Sequence, residues 1–392
     1  MAAVVIDITR LLGRLMADRL PTGIDRVSLA YLEHYRDGGR ALLRHRQRSG
    51  LFSERVSARL FDFLLRWPQA ASGRARWLAW QGLFSCLGNG DGRRGFMFNT
   101  GHNGLEDPRA ARVVRWHNVR PLFMLHDLIP VQHPEYCRLG EATRHERRLH
   151  NMLDLGAGII VNSQATLTDL QEYARLRSLK APPVVVAPLA PWADLVKPPL
   201  PAPPGFEGRP YFVVVGTVEP RKNHLLLLQV WQRLVRAHGL DAPHLVIIGQ
   251  RGWDTENIED MIVRRPMLQG HVTALQRCDD VELTAWLQHA RALLFPSFAE
   301  GYGLPVVEAL AAGVPVIASD LPVLQQIGGG VPDFLDPLDA MAWISHIEDY
   351  AHADSPRRAA QMQRLAGFRP TTWKEHFRTV DDFMFDLNAR AA

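Results

Sequence analysis

Residues 293–320 read LLFPSFAEGYGLPVVEALAAGVPVIASD, and this stretch guides the interpretation of the whole chain. The apolar run at 292–295 predicts a short buried strand, and the β-branched run at 314–318 predicts a second. Between them, a loop with Glu300 leads into a helix that we expect to begin at Pro305. Strand, glycine loop, helix and strand form one βαβ unit. Its loop lies at the carboxyl end of the first strand, where ligands bind in open α/β sheets.

Two carboxylates lie eight positions apart in this unit. Glu300 is in the glycine loop, and we expect Glu308 in the first turn of the helix. Complementarity with the positive helix N-terminus explains an acid at Glu308 equally well. Glu300 has no basic residue beside it in the sequence, which favours contact with a ligand. Gly301 and Gly303 allow the backbone to approach hydroxyl or phosphate groups closely.

The segment E-G-Y-G-L-P-V-V-E resembles the E-x7-E signature of the retaining glycosyltransferases of family 4. That family has the GT-B fold, in which two Rossmann-like α/β domains face a cleft. The resemblance implies that Glu300 contacts the hydroxyls of the donor sugar and that Glu308 binds the nucleotide ribose. It also implies that backbone N–H groups between the two acids hold the sugar and the diphosphate. These residues are Gly301, Tyr302, Gly303 and Leu304.

Length and composition predict a two-domain α/β enzyme. The chain has 392 residues, of which 47% are hydrophobic and 22% charged. Proline-rich sequence at 188–210 predicts a linker. The linker divides the chain into domains at 1–195 and 205–370. The GT-B resemblance implies that the first is an N-terminal, acceptor-side Rossmann-like domain and the second a C-terminal, nucleotide-sugar-binding Rossmann-like domain. Residues 371–392 resemble the terminal helix that crosses back to the N-domain in GT-B folds.

Neither a membrane span nor a metal site is predicted. The apolar runs are too short to cross a bilayer, and the N-terminus has no basic segment ahead of a hydrophobic one, so we expect a cytoplasmic protein. Cys86, Cys137 and Cys278 lie far apart, without metal-ligand spacing. The sequence has no D-x-D pair, the usual ligand set for a metal that bridges a diphosphate. We expect no metal and no cofactor.

A basic motif follows the strand predicted at 211–216, where residues 217–223 read TVEPRKN. We expect Asn223 to cap the helix that follows. Two adjacent cations beside the N-terminus of this helix suit a diphosphate clamp. Lys222 matches the lysine of the family pattern. The position of the family arginine holds Thr217 instead, and Arg221 either replaces that arginine or points to solvent.

Two features of the N-terminal half also follow predicted strands. His126 and Asp127 follow the strand at 121–125, and H-D-L-I-P resembles a motif of bacterial family members in which the histidine reaches the donor sugar. A lone histidine is otherwise usually structural, and Asp127 either shares the site or only orients the imidazole. In P-T-G-I-D-R-V, Gly23 is the best candidate for the glycine that the family places beside the diphosphate. A plain helix-entry turn explains Gly23 equally well.

Residues 40–77 are rich in arginine, with interleaved Leu, Phe and Trp and no clean strand pattern. The apolar positions from Leu60 to Trp77 predict an amphipathic helix. Such a segment suits an anionic membrane surface, and a solvated surface helix explains it equally well. No nucleic-acid motif accompanies the arginines, so we expect no nucleic-acid partner. Peripheral attachment at the inner face of the membrane would suit a lipid-linked acceptor.

Three functions remain open on the sequence. The first is a retaining hexosyltransferase in which Lys222, Arg221 and helix N-termini replace a metal. For this reading, the resemblance implies same-face attack, with the leaving phosphate oxygen helping to deprotonate the acceptor. The others are another GT-B sugar enzyme, such as an epimerase, and a catalytically silent nucleotide-sugar-binding module.

The motifs H-D-L-I-P and E-P-R-K-N resemble those of mannosyltransferases of bacterial surface polysaccharides. This resemblance favours GDP-mannose over a UDP-sugar as the donor. It also favours a saccharide or a lipid-linked saccharide as the acceptor.

Overall fold

The computed structural model describes residues 3–45, 48–66, 95–192, 200–206 and 208–390. The chain divides into two compact units. Unit 1 comprises Met1–Leu189 together with Thr372–Ala392, and unit 2 comprises Ala190–Thr371. The domain boundaries given above stay a prediction.

Unit 1 is built on a seven-stranded sheet. Its strands are β1 (Val4–Asp7), β2 (Arg40–His45), β3 (Arg48–Leu51), β4 (Gly95–Asn99), β5 (Val119–Leu125), β6 (Gly158–Val161) and β7 (Val184–Val186). Their order is β3-β2-β1-β4-β5-β6-β7, and all neighbours are parallel except the antiparallel pair of β2 and β3. Every residue of β4 and β6 is buried, which explains why these strands are continuous apolar runs without alternation.

The helices of unit 1 connect these strands and close the chain. Among the described residues they are Thr9–Met16, Gly23–His34, Glu54–Leu65, Ala110–Trp116, Ile129–Gln132, Glu141–Leu155, Gln164–Leu176 and Trp373–Ala389, with a 3-10 turn at Pro134–Tyr136. The C-terminal helix is fixed by His376, whose Nδ1 lies 2.9 Å from the Pro188 carbonyl and whose Nε2 lies 2.9 Å from the Tyr31 hydroxyl. Among the described residues, no helix is both long and apolar enough to cross a membrane.

Unit 2 is built on a six-stranded, fully parallel sheet. Its strands are β8 (Tyr211–Val215), β9 (His244–Ile248), β10 (Val272–Leu275), β11 (Leu293–Phe295), β12 (Val316–Ser319) and β13 (Asp333–Leu335). They lie in the order β10-β9-β8-β11-β12-β13. This is a doubly wound Rossmann-type arrangement, in which the strand order reverses between β8 and β11.

The helices of unit 2 are His224–His238, Glu256–Arg264, Asp280–Gln288, Leu304–Ala311, Pro322–Gly328, Ala340–Ala351 and Pro356–Leu365, with 3-10 turns at Pro220–Lys222, Gly239–Asp241 and Pro266–Leu268. Phe212, Trp231, Leu294 and Trp343 are fully buried in one hydrophobic core. The indole N–H of Trp231 donates to the Pro243 carbonyl at 2.9 Å, so burial of this ring leaves no unpaired donor.

Two local expectations in unit 2 need correction. The helix after the glycine loop begins at Leu304, because Gly303 adopts a left-handed backbone (φ 102°) and forms the N-cap. Glu308 is therefore the fifth helical residue and lies in the second turn. Asn223 occupies the N-cap of the helix His224–His238, but its side chain does not cap that helix; its amide donates to the Pro337 carbonyl at 2.9 Å.

The arginine-rich segment differs most from expectation. Residues Arg40–His45 and Arg48–Leu51 form two antiparallel strands, and within the described part of the segment the helix is Glu54–Leu65. The arginines made this segment look exposed, but the Arg44 side chain in β2 is only 10% exposed and pairs with the buried Asp7 at 3.0 Å. The remainder of the segment, including Trp67 and Trp77, lies outside the described residues.

Candidate active site

The candidate site of unit 2 lies where the strand order reverses. The loop after β8 carries Thr217, Arg221 and Lys222, and the loop after β11 carries Glu300. Because β8 and β11 are parallel neighbours, both loops leave the same edge of the sheet. Such a switch point is the usual place for ligand binding in doubly wound sheets.

Glu300 forms two ion pairs with the loop after β8. Lys222 Nζ lies 2.5 Å from Glu300 Oε1, and an Arg221 guanidinium nitrogen lies 3.0 Å from Glu300 Oε2. The Glu300 side chain is only 6% exposed and that of Lys222 is 11% exposed. Lys222 Nζ also lies 4.6 Å from the centre of the Phe295 ring, a cation–π contact. Glu300 has no basic residue beside it in the sequence, but in the folded chain two basic side chains contact it.

Arg221 connects the two loops and does not point to solvent. Its guanidinium donates to Glu219 at 2.7 Å and to the Ala299 carbonyl at 2.5 Å. Its backbone carbonyl accepts the N–H of Phe298 at 2.9 Å. Glu219, Arg221, Glu300 and Lys222 therefore form a chain of alternating charges. Glu219 was missed in the sequence analysis, and its place two residues before Arg221 was the available signal.

The charge of Glu300 is fixed by these neighbours. Burial alone would raise the pKa of its carboxyl, but Arg221 and Lys222 outweigh burial and lower the pKa to about 2. Glu300 is therefore ionised at all physiological pH values. Burial lowers the pKa of Lys222, and Glu300 opposes that effect.

The glycine loop and the following helix hold the remaining predicted residues of unit 2. Tyr302 and Glu308 are buried, and Gly301 and Leu304 are half-buried. At Gly303, a Cβ atom would lie 2.6 Å from Leu324 Cδ2, and the backbone is left-handed, so only glycine fits without strain. Thr217 is half-buried in the opposite loop.

In unit 1, His126 lies directly after β5 and is 6% exposed. Its Nε2 lies 2.7 Å from the Thr100 carbonyl, which can only accept a hydrogen bond, so Nε2 carries the proton. The Thr100 carbonyl therefore orients this imidazole. Asp127 has a different contact: its Oδ1 accepts the N–H of Ile129 at 3.1 Å. Burial lowers the pKa of His126, which favours the neutral ring.

Gly23 is the first residue of its helix and is exposed. The fully buried Asp25 accepts the Thr22 N–H at 2.8 Å and pairs with Arg10 at 2.7 Å. A Cβ atom at Gly101, in the loop after β4, would meet the Arg10 side chain at 2.6 Å. Arg10 thus connects the Gly23 turn with the loop that carries the Thr100 carbonyl.

Neither unit offers a metal centre among its described residues, since no group of three or more His, Cys, Asp or Glu side chains is arranged to hold an ion. A surface cavity of about 440 Å³ in unit 2 lies along the helices His224–His238 and Ala340–Ala351. Its lining includes Arg233, Arg236 and Ile344 but none of the site residues.

The low pKa of Glu300 predicts a defined pH dependence of stability. The pKa of a glutamate is ordinarily 4.5, and that of Glu300 in the folded chain is about 2. The stabilisation, on the order of 3 kcal/mol, is therefore fully present above pH 4.5 and is lost as the pH falls towards 2. We expect the difference in free energy of unfolding between the wild type and Glu300→Gln, measured with urea, to be constant from neutral pH to about pH 5 and to shrink below that. A difference that disappears above pH 5 would contradict this assignment.

Comparison with known proteins identifies the family. The family model for glycosyl transferases group 1 matches residues 197–348. O-antigen chain mannosyltransferase B of Escherichia coli is 31% identical over 261 residues, which cover 65% of this chain and 67% of that protein. O-antigen chain mannosyltransferase RfbU of Salmonella typhimurium is 32% identical over 142 residues, covering 36% and 38% of the two chains.

Two solved structures resemble the whole chain at low sequence identity. The Anabaena protein HepE, in complex with UDP and glucose, has a TM-score of 0.67 and 14% identity, covering 98% of this chain and 100% of that one. Sucrose-phosphate synthase from Thermosynechococcus elongatus has a TM-score of 0.63 and 17% identity, with full coverage of both chains. These likenesses concern the fold and confirm the predicted GT-B class. The chain belongs to the group 1 glycosyltransferase family.

Proposed function

We propose that this glycosyltransferase is a retaining mannosyltransferase that uses GDP-mannose and acts on a saccharide or lipid-linked saccharide in the synthesis of a bacterial surface polysaccharide. The named E. coli and Salmonella relatives support mannose as the sugar. The observation that carries the proposal is the buried contact of Glu300 with Lys222 and Arg221 at the switch point of unit 2. A UDP-sugar is the alternative donor, because the similar HepE structure contains UDP.

The donor contacts in this proposal follow from charge. Lys222 and Arg221 bind the diphosphate, whose negative charge competes with Glu300 for the same two cations. Glu300, once partly released, accepts hydrogen bonds from hydroxyls of the donor sugar. The buried Glu308 binds the ribose hydroxyls, and the backbone from Gly301 to Leu304 lines the diphosphate and sugar.

The contribution of unit 1 rests on His126 and the residues near it. A neutral His126 with a protonated Nε2 leaves Nδ1 as an acceptor for a hydroxyl of the donor sugar. Gly23 lies beside the diphosphate in this proposal, where the helix N-terminus adds positive potential. Asp127 keeps a structural role, because its Oδ1 accepts the N–H of Ile129 at the start of the short helix Ile129–Gln132.

The proposed chemistry is electrostatic. Two cations and helix N-termini stabilise the departing diphosphate, and the ionised Glu300 orients the sugar without forming a bond to it. The leaving phosphate oxygen accepts the proton of the acceptor hydroxyl on the same face, so the anomeric configuration is retained.

A catalytically silent sugar-nucleotide-binding module and an epimerase are the alternatives, and one experiment separates them from the proposal. The full-length protein is screened against nucleotide sugars by thermal shift, since a ligand that binds the folded state raises Tm with its concentration. The donor that binds is then incubated with saccharide acceptors. We expect GDP-mannose to stabilise the protein and to yield transferred mannose. Stabilisation without any transfer would favour the silent module, and a changed sugar in the nucleotide product would favour the epimerase.

Chelation should not abolish activity. The diphosphate charge is balanced by Lys222 and Arg221, and the sequence has no D-x-D pair. We expect transfer measured in EDTA to match that in buffer with added Mg²⁺. Activity that disappears in EDTA and returns with Mg²⁺ or Mn²⁺ would contradict the metal-independent mechanism.

We also propose peripheral attachment to an anionic membrane. The proposal now rests on exposed arginines alone and no longer on an amphipathic helix. In the helix Glu54–Leu65, Leu60, Phe61 and Leu64 are fully buried in unit 1, so the apolar face is already occupied. The charged face remains available, and it includes Arg55 and Arg59. Attachment through this face would be electrostatic and sensitive to salt.

Vesicle co-sedimentation tests this attachment. We expect binding to anionic vesicles at low salt and none to neutral vesicles, because each basic residue near an anionic surface contributes about 1 kcal/mol. Changing Arg55, Arg59 and Arg66 to Glu should abolish it. The matched control reverses three exposed arginines of unit 2, Arg233, Arg236 and Arg357, and should retain binding. Failure of the wild type to bind anionic vesicles at low salt would leave a soluble acceptor as the better hypothesis.

A further inference from the structure

His102, in the loop after β4, has an unusual backbone. Its φ is 59°, in the left-handed region that glycine favours, and its side chain is buried, with 8% exposure. A left-handed histidine costs conformational free energy, so the surrounding contacts must hold it in place. No sequence motif predicted a role for His102, although its position just after a strand was a signal.

His102 and His126 form reciprocal contacts between neighbouring strands. His102 Nε2 lies 2.6 Å from the carbonyl of Met124 in β5, and His126 Nε2 lies 2.7 Å from the carbonyl of Thr100 after β4. Each ring thus donates a hydrogen bond to a backbone carbonyl of the other segment. The ring centres are 5.2 Å apart. Two further bonds hold this region: Thr100 Oγ1 donates to Ser28 Oγ at 2.8 Å, and the amide of Asn162 donates to the His126 carbonyl at 3.0 Å.

These contacts determine the protonation of His126. A carbonyl oxygen accepts only, so the Nε2 of each ring carries the proton, and a neutral ring then has an unprotonated Nδ1. Burial lowers the pKa of both histidines. The charged and titratable groups that influence the two rings are His145 and Arg148 near His102, and Asp127, Arg10 and Asp25 near His126.

We infer that His102 is a positioning residue for His126: it holds the loop 100–102 against β5, so that the Thr100 carbonyl fixes His126 as the Nε2–H tautomer with Nδ1 available to a substrate hydroxyl. The inference rests on the proposed function of His126 for its catalytic meaning. The tautomer itself is a property of the unliganded protein and is measured independently of activity.

Two variants distinguish the loss of the His102 hydrogen bond from a general loss of folding. His102→Gly removes the donor and suits the left-handed backbone, so the substitution adds no backbone strain. His102→Gln places an amide N–H at about the position of the imidazole Nε2 and restores the donor without a titratable ring. His244→Leu is the control for a buried histidine elsewhere, since His244 Nε2 contacts Thr273 Oγ1 at 2.8 Å in unit 2.

The first readout is ¹⁵N NMR of histidine-labelled, full-length protein, with the His126 signals assigned by their loss in His126→Gln. In the wild type we expect a single Nε2–H tautomer and a His126 pKa below the ordinary histidine value. In His102→Gly we expect a mixture of the Nδ1–H and Nε2–H tautomers, because the Thr100 carbonyl is no longer held against His126. His102→Gln should resemble the wild type. Unchanged His126 signals in His102→Gly would overturn the inference.

The second readout is turnover with the donor identified by the thermal-shift screen. We expect His102→Gly to lower kcat about 10- to 100-fold with unchanged nucleotide affinity, His102→Gln to recover most of the loss, and His244→Leu to leave kcat unchanged. An equal loss of kcat in His102→Gly and His102→Gln would show that the hydrogen bond from residue 102 to the Met124 carbonyl does not support turnover, and would overturn the inference. Full turnover of His126→Gln would instead refute the proposed role of His126, while the NMR result on His102 would stand.

Discussion

Replacing Lys222 by Met is expected to lower turnover about 100- to 1,000-fold and to weaken binding of the nucleotide diphosphate. Lys222 is one of two cations at the switch point, and its charge would be required both when the diphosphate binds and when it departs. The substitution also removes one of the two basic side chains that pair with the buried Glu300, so a lower Tm is expected. Turnover should therefore be measured well below the Tm of the variant, with nucleotide affinity measured by calorimetry.

Lys374→Met is the matched control, because Lys374 is an exposed lysine at the start of the C-terminal helix. It should have wild-type Tm, affinity and turnover. The account of the site would be contradicted if Lys222→Met bound the nucleotide diphosphate as tightly as Lys374→Met and retained its turnover.

Replacing Glu300 by Gln is expected to lower turnover about 100-fold without weakening the binding of the nucleotide diphosphate. The loss arises because a neutral amide orients the sugar hydroxyls less strongly than a carboxylate. Nucleotide affinity should be equal or higher, since Glu300 no longer competes for Lys222 and Arg221. Glu308→Gln should show the opposite pattern. The binding free energy of the nucleotide diphosphate should weaken by about 1–3 kcal/mol, and turnover at saturating donor should change less.

Glu348 provides the control for this pair, because it is a partly exposed glutamate of unit 2 that contacts His238 at the surface. Glu348→Gln should match the wild type in both measurements. Full turnover of Glu300→Gln would show that the role assigned from the E-x7-E resemblance is wrong. A loss of nucleotide affinity as large as the loss of turnover would contradict the charge competition described above.

The glycine loop of unit 2 was predictable because its signals are local. The apolar run before Glu300, the glycines and Pro305 each restrict the backbone within a few residues, and the structure has strand, loop, helix and strand in that order. The lysine motif was equally predictable from the sequence, since β8 is a continuous apolar run followed by a 3-10 turn at Pro220–Lys222.

The pairing of charges was not predictable, because it joins residues 78 positions apart in sequence. Whether Arg221 faced solvent or the site depended on the Ala299 carbonyl and on Glu219, which no pattern specifies. The antiparallel pair of β2 and β3 was missed for a related reason: arginine is ordinarily read as exposed, whereas the Arg44 side chain is only 10% exposed and pairs with Asp7. His102 is a third case, since its contact with Met124 depends on β4 and β5 being neighbours in the sheet.

The stereochemistry of the product distinguishes a retaining from an inverting transferase. The wild-type protein is incubated with GDP-α-mannose and the saccharide acceptor found in the screen, and the anomeric proton of the new linkage is followed by ¹H NMR from the first turnover. The account predicts an α-linked product formed together with GDP, at a rate that is unchanged in EDTA and falls about 100-fold in Glu300→Gln. A β-linked product, or transfer that is unaffected by Glu300→Gln, would contradict a retaining site built around Glu300 and Lys222.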